Sequence, residues 1–246
     1  MDLRTEPVVI SRKNLGESPV DDVPEQGAIL LIDKPKGWTS FDVVAKTRGI
    51  MRIRKVGHTG TLDPMATGLL ILCLGKATKL VEEIQAGIKE YTGTIHFGAT
   101  TPTDDAESEE QAHFPTDHLT EENIRAAAAT FVGESMQVAP MFSARKVDGQ
   151  RLYKLARRGE TVDIPAKPVT IHQFEITSIT LPDLRFRVVC SKGTYIRSLA
   201  RDLAVMLGTG GYLTELRRTS SGTFHVDDAL TIQELQEARR PREAAR

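Results

Sequence analysis

The segment Gly57-His58-Thr59-Gly60-Thr61-Leu62-Asp63-Pro64-Met65-Ala66-Thr67-Gly68 constrains this chain more than any other. Its three glycines and one proline demand backbone angles that neither a helix nor a ladder strand supplies, so the stretch forms a rigid loop. Asp63 precedes Pro64, which pushes its backbone toward extended geometry and out of any helix interior. Directly afterwards, Leu69-Leu70-Ile71-Leu72-Cys73-Leu74 is an unbroken apolar run with the length of a buried strand. A single carboxylate is therefore carried on a rigid support, as a reactive group requires. An aspartate before proline more often closes its own turn through a hydrogen bond, so the rest of the sequence must decide between the two.

Hydrophobic periodicity outlines the remaining elements. A strand is expected from Ala28 to Ile32, a helix from about Phe41 to Met51 with Ser40 as N-cap, and a helix from Thr78 to Gln85. Tyr91 to Phe97 reads as a strand, Glu121 to Phe131 as an alanine-rich helix ended by Gly133, and Val169 to Leu181 as a strand paired with Leu184 to Ser191. A helix from about Tyr195 to Leu207 places Ile196, Leu199, Ala200, Leu203, Met206 and Leu207 on one face, which points Arg197, Arg201 and Asp202 away from the core. Residues 1–26 are polar, with Pro7, Pro19 and Pro24, and are expected to form a flexible arm. Residues 100–118 lack apolar periodicity and are expected to form a mobile acidic loop. Strands and helices interleave without a regular βαβ alternation, which favours an α+β architecture over a doubly wound parallel sheet.

At 246 residues and 40% apolar content the chain can bury a substantial core, filled by aliphatic side chains because aromatics are only 5%. Cys73 and Cys190 lie in apolar strand-like runs without metal-ligand spacing, so reduced buried thiols are expected and no metal site. The N-terminus has no signal-peptide core and no window approaches the roughly 18 apolar residues of a membrane span, so a soluble cytoplasmic protein is expected. Net charge is −1, yet the charges are segregated. Arg145, Lys146, Arg151, Lys154, Arg157 and Arg158 cluster against Asp148 alone, and Arg48, Arg52, Arg54 and Lys55 precede the Asp63 loop. Between Thr100 and Ile124 there are eight acids and no Lys or Arg. Any one cluster reads equally well as a solvated face, but two basic clusters flanking one carboxylate loop favour a phosphate-contacting rim.

The glycine loop resembles the catalytic motif of the TruB family, tRNA pseudouridine synthases that isomerise uridine 55 in the T-loop. Other segments follow in that family's order. Leu30-Leu31-Ile32-Asp33-Lys34-Pro35-Lys36-Gly37 is similar to its Lys-Pro motif, and Lys89-Glu90-Tyr91 to the segment with its active-site tyrosine. Ser143-Ala144-Arg145-Lys146, with Gly149 and Leu152-Tyr153, resembles its RNA-facing insertion, placed at 141–168. Cys190 to Leu199 resembles its arginine motif, and Leu216-Arg217-Arg218 its closing strand. The resemblance implies the pseudouridine synthase fold, a mixed and largely antiparallel central sheet flanked by helices and loops, over a catalytic domain at 27–235. Many members continue into a small RNA-binding PUA domain. Here 236–246 is too short for one, so a short form with a C-terminal tail is expected.

For chemistry, the resemblance implies Asp63, Tyr91 and Arg197 as catalytic residues. Asp63 would attack the sugar C1′ or the base C6, or remove a sugar proton, and all three routes need it ionised. Arg197 would keep it so, since desolvation alone raises a carboxylate pKa. The stacked uridine must be flipped out to react, with Tyr91 beneath it and its hydroxyl available as proton acceptor at C5. His58 would contact or displace the flipped nucleotide, Lys34 would bind phosphate or brace the loop, and Pro35 and Leu216 would pack under the base. Tyr195, Arg157 and Arg158 complete the expected substrate contacts. No cofactor is needed, and the expected partner is the tRNA T-arm, with no membrane or protein partner and a monomeric state. The alternatives are a guide-RNA-dependent synthase of the dyskerin type and a non-catalytic tRNA-binding or folding module.

Overall fold

The apolar run behind the glycine loop is an inner strand, buried from residue 68 to 74, and the architecture is most easily laid out from it. The computed structural model describes residues 7–15, 23, 25–147 and 149–239. In chain order its strands are β1 (Val8–Ile10), β2 (Ala28–Lys34), β3 (Val56–His58), β4 (Thr67–Leu74), β5 (Lys89–Phe97), β6 (Ala99–Thr100), β7 (Ala112–His113), β8 (Gly133–Gln137), β9 (Lys146–Val147), β10 (Gln150–Arg151), β11 (Lys167–Thr180), β12 (Asp183–Cys190), β13 (Gly211–Ser221) and β14 (Phe224–His225). The helices are α1 (Ser40–Met51), α2 (Val81–Gln85), α3 (Glu121–Ala129), α4 (Leu152–Ala156), α5 (Ile196–Met206) and α6 (Ile232–Ala238).

Two units are formed, one from the chain up to Lys89 and again from Arg217 onward, the other from Glu90–Leu216. In the first, the strand order is β1-β2-β4-β13. β2 runs antiparallel to β4 from Ala28↔Leu74 to Lys34↔Gly68. The opposite edge of β4 changes partner along its length. β3 pairs antiparallel at Leu72 to Leu74, whereas β13 pairs parallel at Thr67 and Gly68. The Asp63 loop leaves the sheet where that exchange occurs. Beneath it, Ile29, Leu31, Leu69, Ile71, Val226 and Ala229 form an apolar cluster. In the second unit the order is β13-β5-β12-β11-β8, with the antiparallel pair β11–β12 interrupted by two register shifts. This is the α+β arrangement expected from the sequence.

Several local expectations are corrected. The N-cap of α1 is Thr39, not Ser40: Thr39 Oγ1 accepts from Asp42 N and the Asp42 carboxylate accepts from Thr39 N, a reciprocal capping box. Ser40 is thereby freed to turn inward. On α5, Arg197 does not point to solvent but is 4% exposed, while Met206, expected on the core face, is 55% exposed. The first turn of α5 is enclosed on all sides, so the apolar stripe alone misjudges it. Residues 100–118 carry the β6–β7 ladder (Ala99↔His113, Thr100↔Ala112) and a buried Asp105. Val8–Ile10, within the expected arm, form β1 paired to β2, and α6 takes in Gln236 to Ala238 of the expected tail. Residues 1–6, 16–22 and 24 of that arm and 240–246 of that tail lie outside the described residues.

Candidate active site

The Asp63 loop is held by side chains from three directions. Ser40 Oγ donates to Leu62 O at 3.1 Å and accepts from Leu62 N at 2.8 Å, fixing the residue before Asp63. Lys34, fully buried, donates from Nζ to Pro64 O at 3.3 Å, to Pro35 O at 2.9 Å and to Trp38 O at 2.6 Å, fixing the residue after it. Arg218 donates to Gly60 O at 3.2 Å and to Leu69 O at 2.7 Å. Within the loop Ala66 N donates to Asp63 O at 3.1 Å, and Gly37 N to Pro64 O at 2.8 Å. Asp63 itself remains partly exposed. Pro35 is exposed beside Lys34.

His58 closes β3 and is half-buried. Burial, and then the positive charge of Arg218, lower its pKa below the ordinary imidazole value. Gly60 N lies 3.4 Å from Nδ1, which marks that nitrogen as the acceptor of a neutral ring. The unfolded chain therefore takes up a proton that the folded chain resists. Stability contributed by His58 is fully present above about pH 6.5 and is lost as pH falls below it, with a slope of at most about 1.4 kcal/mol per pH unit. Thermal melts from pH 7.5 to 5.5 should show this decline, and His58→Gln should reduce it; an unaltered decline would remove His58 as its source.

The second unit contains a knot of arginines and aspartates. Arg197 Nη1 donates to Thr103 O at 2.8 Å and Nη2 to Phe142 O at 2.9 Å, and Nε lies 3.5 Å from Asp105 Oδ2. The two side chains are 4% and 2% exposed. Asp105 also accepts from Thr103 Oγ1 at 2.5 Å and from Glu107 N at 3.0 Å. One turn along α5, Arg201 pairs with Asp104 at 3.1 Å. Burial raises the Asp104 carboxyl pKa against the pull of Arg201 and Arg197, and its backbone is left-handed at φ 57°. Adjacent acids in one turn thus engage arginines one helical turn apart. Sequence reading missed Asp105; the signal was the alternation of Thr101, Thr103 and the two aspartates, which suits a side-chain-bonded turn.

The other expected residues are also in the second unit. Tyr91 on β5 and Leu216 on β13 are buried at 8% and 7% exposure. Tyr195 caps α5, where its N donates to Gln137 Oε1 at 2.8 Å and its O accepts from Gln137 Nε2 at 3.1 Å. It packs against Ala139, Leu152, Leu155 and Ile164, the core of the 141–168 segment. Arg157 and Arg158 are exposed; Arg157 lies 5.6 Å from the Tyr153 ring centroid, and Arg158 pairs with Glu160 at 2.5 Å. Cys73 and Cys190 are buried thiols, and burial pushes Cys73 up to about 11, which keeps it protonated and unreactive.

The family model described as TruB family pseudouridylate synthase, N-terminal domain, matches residues 48–196, and the tRNA pseudouridylate synthase B C-terminal domain matches 197–244. The chain belongs to the TruB family. A tRNA pseudouridine synthase B of Flavobacterium johnsoniae is 50% identical over 87% of this chain and 96% of its own length, and one of Phocaeicola vulgatus is 49% identical over 87% and 93%. The fold is the pseudouridine synthase fold. A solved Cbf5-Nop10-Gar1 complex matches with TM-score 0.69 and 30% identity over 91% of this chain, and an H/ACA RNP bound to a substrate RNA containing 2'-deoxyuridine with TM-score 0.67 and 27% identity over 96%. This chain spans 57% and 59% of those longer chains. Among the described residues of this TruB-family chain, no helix is long and apolar enough to cross a membrane.

Proposed function

We propose that this chain is a tRNA pseudouridine synthase, an isomerase that converts uridine 55 of the T-loop to pseudouridine without a cofactor. The observation that carries this reading is the immobilised Asp63 loop, pinned at Leu62 and Pro64 on either side of the carboxylate, within a chain half identical to tRNA pseudouridine synthases B over nearly their whole length. A reaction that breaks one glycosidic bond and remakes it through C5 needs an ionised carboxylate at a fixed position more than it needs an electron sink. In this reading Asp63 acts on the sugar C1′, on the base C6 or on a sugar proton. Arg197 maintains its charge, Tyr91 stacks on the flipped base and accepts the C5 proton, and neutral His58 meets the nucleotide as it leaves the stack. Pro35, Leu216 and Tyr195 supply apolar contact.

The guide-RNA-dependent alternative draws on the Cbf5 likeness, but identity there is 30%, against 50% for the tRNA enzymes. A binding module without turnover predicts loss of the carboxylate or the motif arginine, and both are present. The deciding experiment maps pseudouridine by chemical derivatisation and primer extension on an unmodified tRNA transcript, without cofactor or added protein. A stop at the T-loop uridine supports the proposal; tRNA binding without any stop refutes it. The same reading assigns the protein to the cytoplasm and to action as a monomer.

Arg157 and Arg158 belong to the phosphate-contacting rim of this proposal. Reversing both charges should weaken tRNA binding and lower the salt-dependence slope by about 2, roughly one unit for each phosphate no longer neutralised. Binding titrations across salt concentrations check this, and an unchanged slope would take the pair out of the interface.

A further inference from the structure

Arg218 has no part in the chemistry proposed above, yet it is only 3% exposed. Its neighbour Arg217 makes a two-pronged ion pair with Asp33, at 3.0 and 2.7 Å. Among the described residues, no carboxylate lies within ion-pair distance of Arg218. A buried cation without a counter-ion is costly unless its donors are satisfied by well-placed acceptors. Here the acceptors are two backbone carbonyls, Leu69 O from Nε at 2.7 Å and Gly60 O from Nη2 at 3.2 Å. These carbonyls bracket the segment that carries Asp63.

The base of the arginine is equally fixed. Arg218 pairs with Gly68 across β13 and β4, and a Cβ added at Gly68 would lie 2.3 Å from Arg218 O. The two backbones meet at a separation only glycine permits, which leaves the guanidinium one reach onto the loop. A planar fork can hold two divergent carbonyls at once, whereas an ammonium on a flexible stem serves as a point charge.

We propose that Arg218 is a positioning residue for the reaction: its buried guanidinium ties the two ends of the Asp63 loop together and thereby sets where the carboxylate stands. This rests on the reading of Asp63 as the reactive group. The same uncompensated charge faces His58 and favours its neutral ring, so one side chain conditions two groups of the loop. Ser40 and Lys34 hold the loop near its middle, and Arg218 alone among these three grips both ends.

The test compares the full-length wild type with Arg218→Lys and Arg218→Gln. It measures single-turnover pseudouridine formation, tRNA affinity, thermal melting, and exchange of the Thr59 and Ala66 amides. The expected result is a single-turnover rate lowered about 100-fold, the cost of a displacement on the order of 1 Å, with tRNA affinity within roughly three-fold. Loop amides should exchange about 10-fold faster or more while melting stays cooperative. A folded variant with a rate within roughly three-fold of wild type overturns the proposal, as does a loss of tRNA affinity that accounts for the whole loss of activity. Should neither variant fold, the wild-type protein decides: a slowly exchanging Arg218 Nε–H supports the clamp, and exchange at the rate of exposed arginines overturns it. Wild type that never modifies tRNA defeats the functional reading separately, and the amide exchange of the variants then settles the clamp.

Discussion

Alanine at Asp63 is expected to lower pseudouridine formation by on the order of 10⁴-fold or more while leaving tRNA affinity within roughly three-fold. The size of the effect follows from the chemistry. In each of the three routes open to the carboxylate it takes part in bond making or proton removal, so no neighbouring group replaces it. The selectivity follows from the structure. The anchors of the loop are Ser40 on Leu62, Lys34 on Pro64 and Arg218 on Gly60 and Leu69, and none of these bonds uses the Asp63 carboxylate. These anchors stay in place when the side chain is truncated, so the surface offered to RNA is expected to be kept. Single-turnover assays beside binding titrations measure the two quantities, and turnover retained in Asp63→Ala would refute the assignment.

The second large effect is expected at Asp105. Asparagine there preserves shape but leaves Arg197, 4% exposed, facing a neutral amide in place of a buried carboxylate. Breaking one side of a buried pair costs about 3 to 5 kcal/mol because the remaining charge stays desolvated. For a chain of this size that corresponds to a fall in Tm of roughly 6 to 15 °C. Thr103 Oγ1 and Glu107 N both donate to Oδ1, so an amide that keeps its oxygen there turns its N–H₂ group, a donor, onto the Arg197 guanidinium. Pseudouridine formation should fall with it, because Arg197 then loses the buried carboxylate that orients it beside the carbonyls of Thr103 and Phe142. Melting curves and turnover of Asp105→Asn check both; a Tm within about 2 °C of wild type would show that the pair is not the anchor its geometry describes.

What the sequence disclosed depended on whether the signal was local. The Asp63 loop and β4 were legible because glycine, proline and an unbroken apolar run act within a dozen residues. The long antiparallel pair β11–β12 was legible because its two strands, expected at Val169 to Leu181 and Leu184 to Ser191, lie next to each other in sequence. Arg197 was placed wrongly because helical periodicity sees only the apolar stripe of α5, while the turn that buries its polar face comes from residues 101–105, far away in sequence. Residues 100–118 looked unstructured for a related reason: they are held by threonine and aspartate side chains bonding to backbone, which leaves no hydrophobic period. Ser40 precedes an amphipathic run, which makes it read as the cap in sequence alone. The neighbouring Thr39 with Asp42 made a better cap and released Ser40 for Leu62.

The clamp on the loop also dates the enzyme's competence during synthesis. The bonds from Arg218 to Leu69 and Gly60 close over 149 and 158 residues of chain, and the whole second unit is synthesised in between. A nascent chain that has emerged only as far as Leu216 already carries Asp63, Tyr91, Asp105 and Arg197, but it lacks the strand segment that pairs with Thr67 and Gly68 and the guanidinium that gathers the loop. The glycine loop then lacks the arginine tie between its two ends while the ribosome is still adding residues. Domains fold as units as they emerge, and pairings of such long range form late. The geometry around the carboxylate is thus among the last features of the molecule to assemble, so a chain broken off before its final thirty or so residues is made without it.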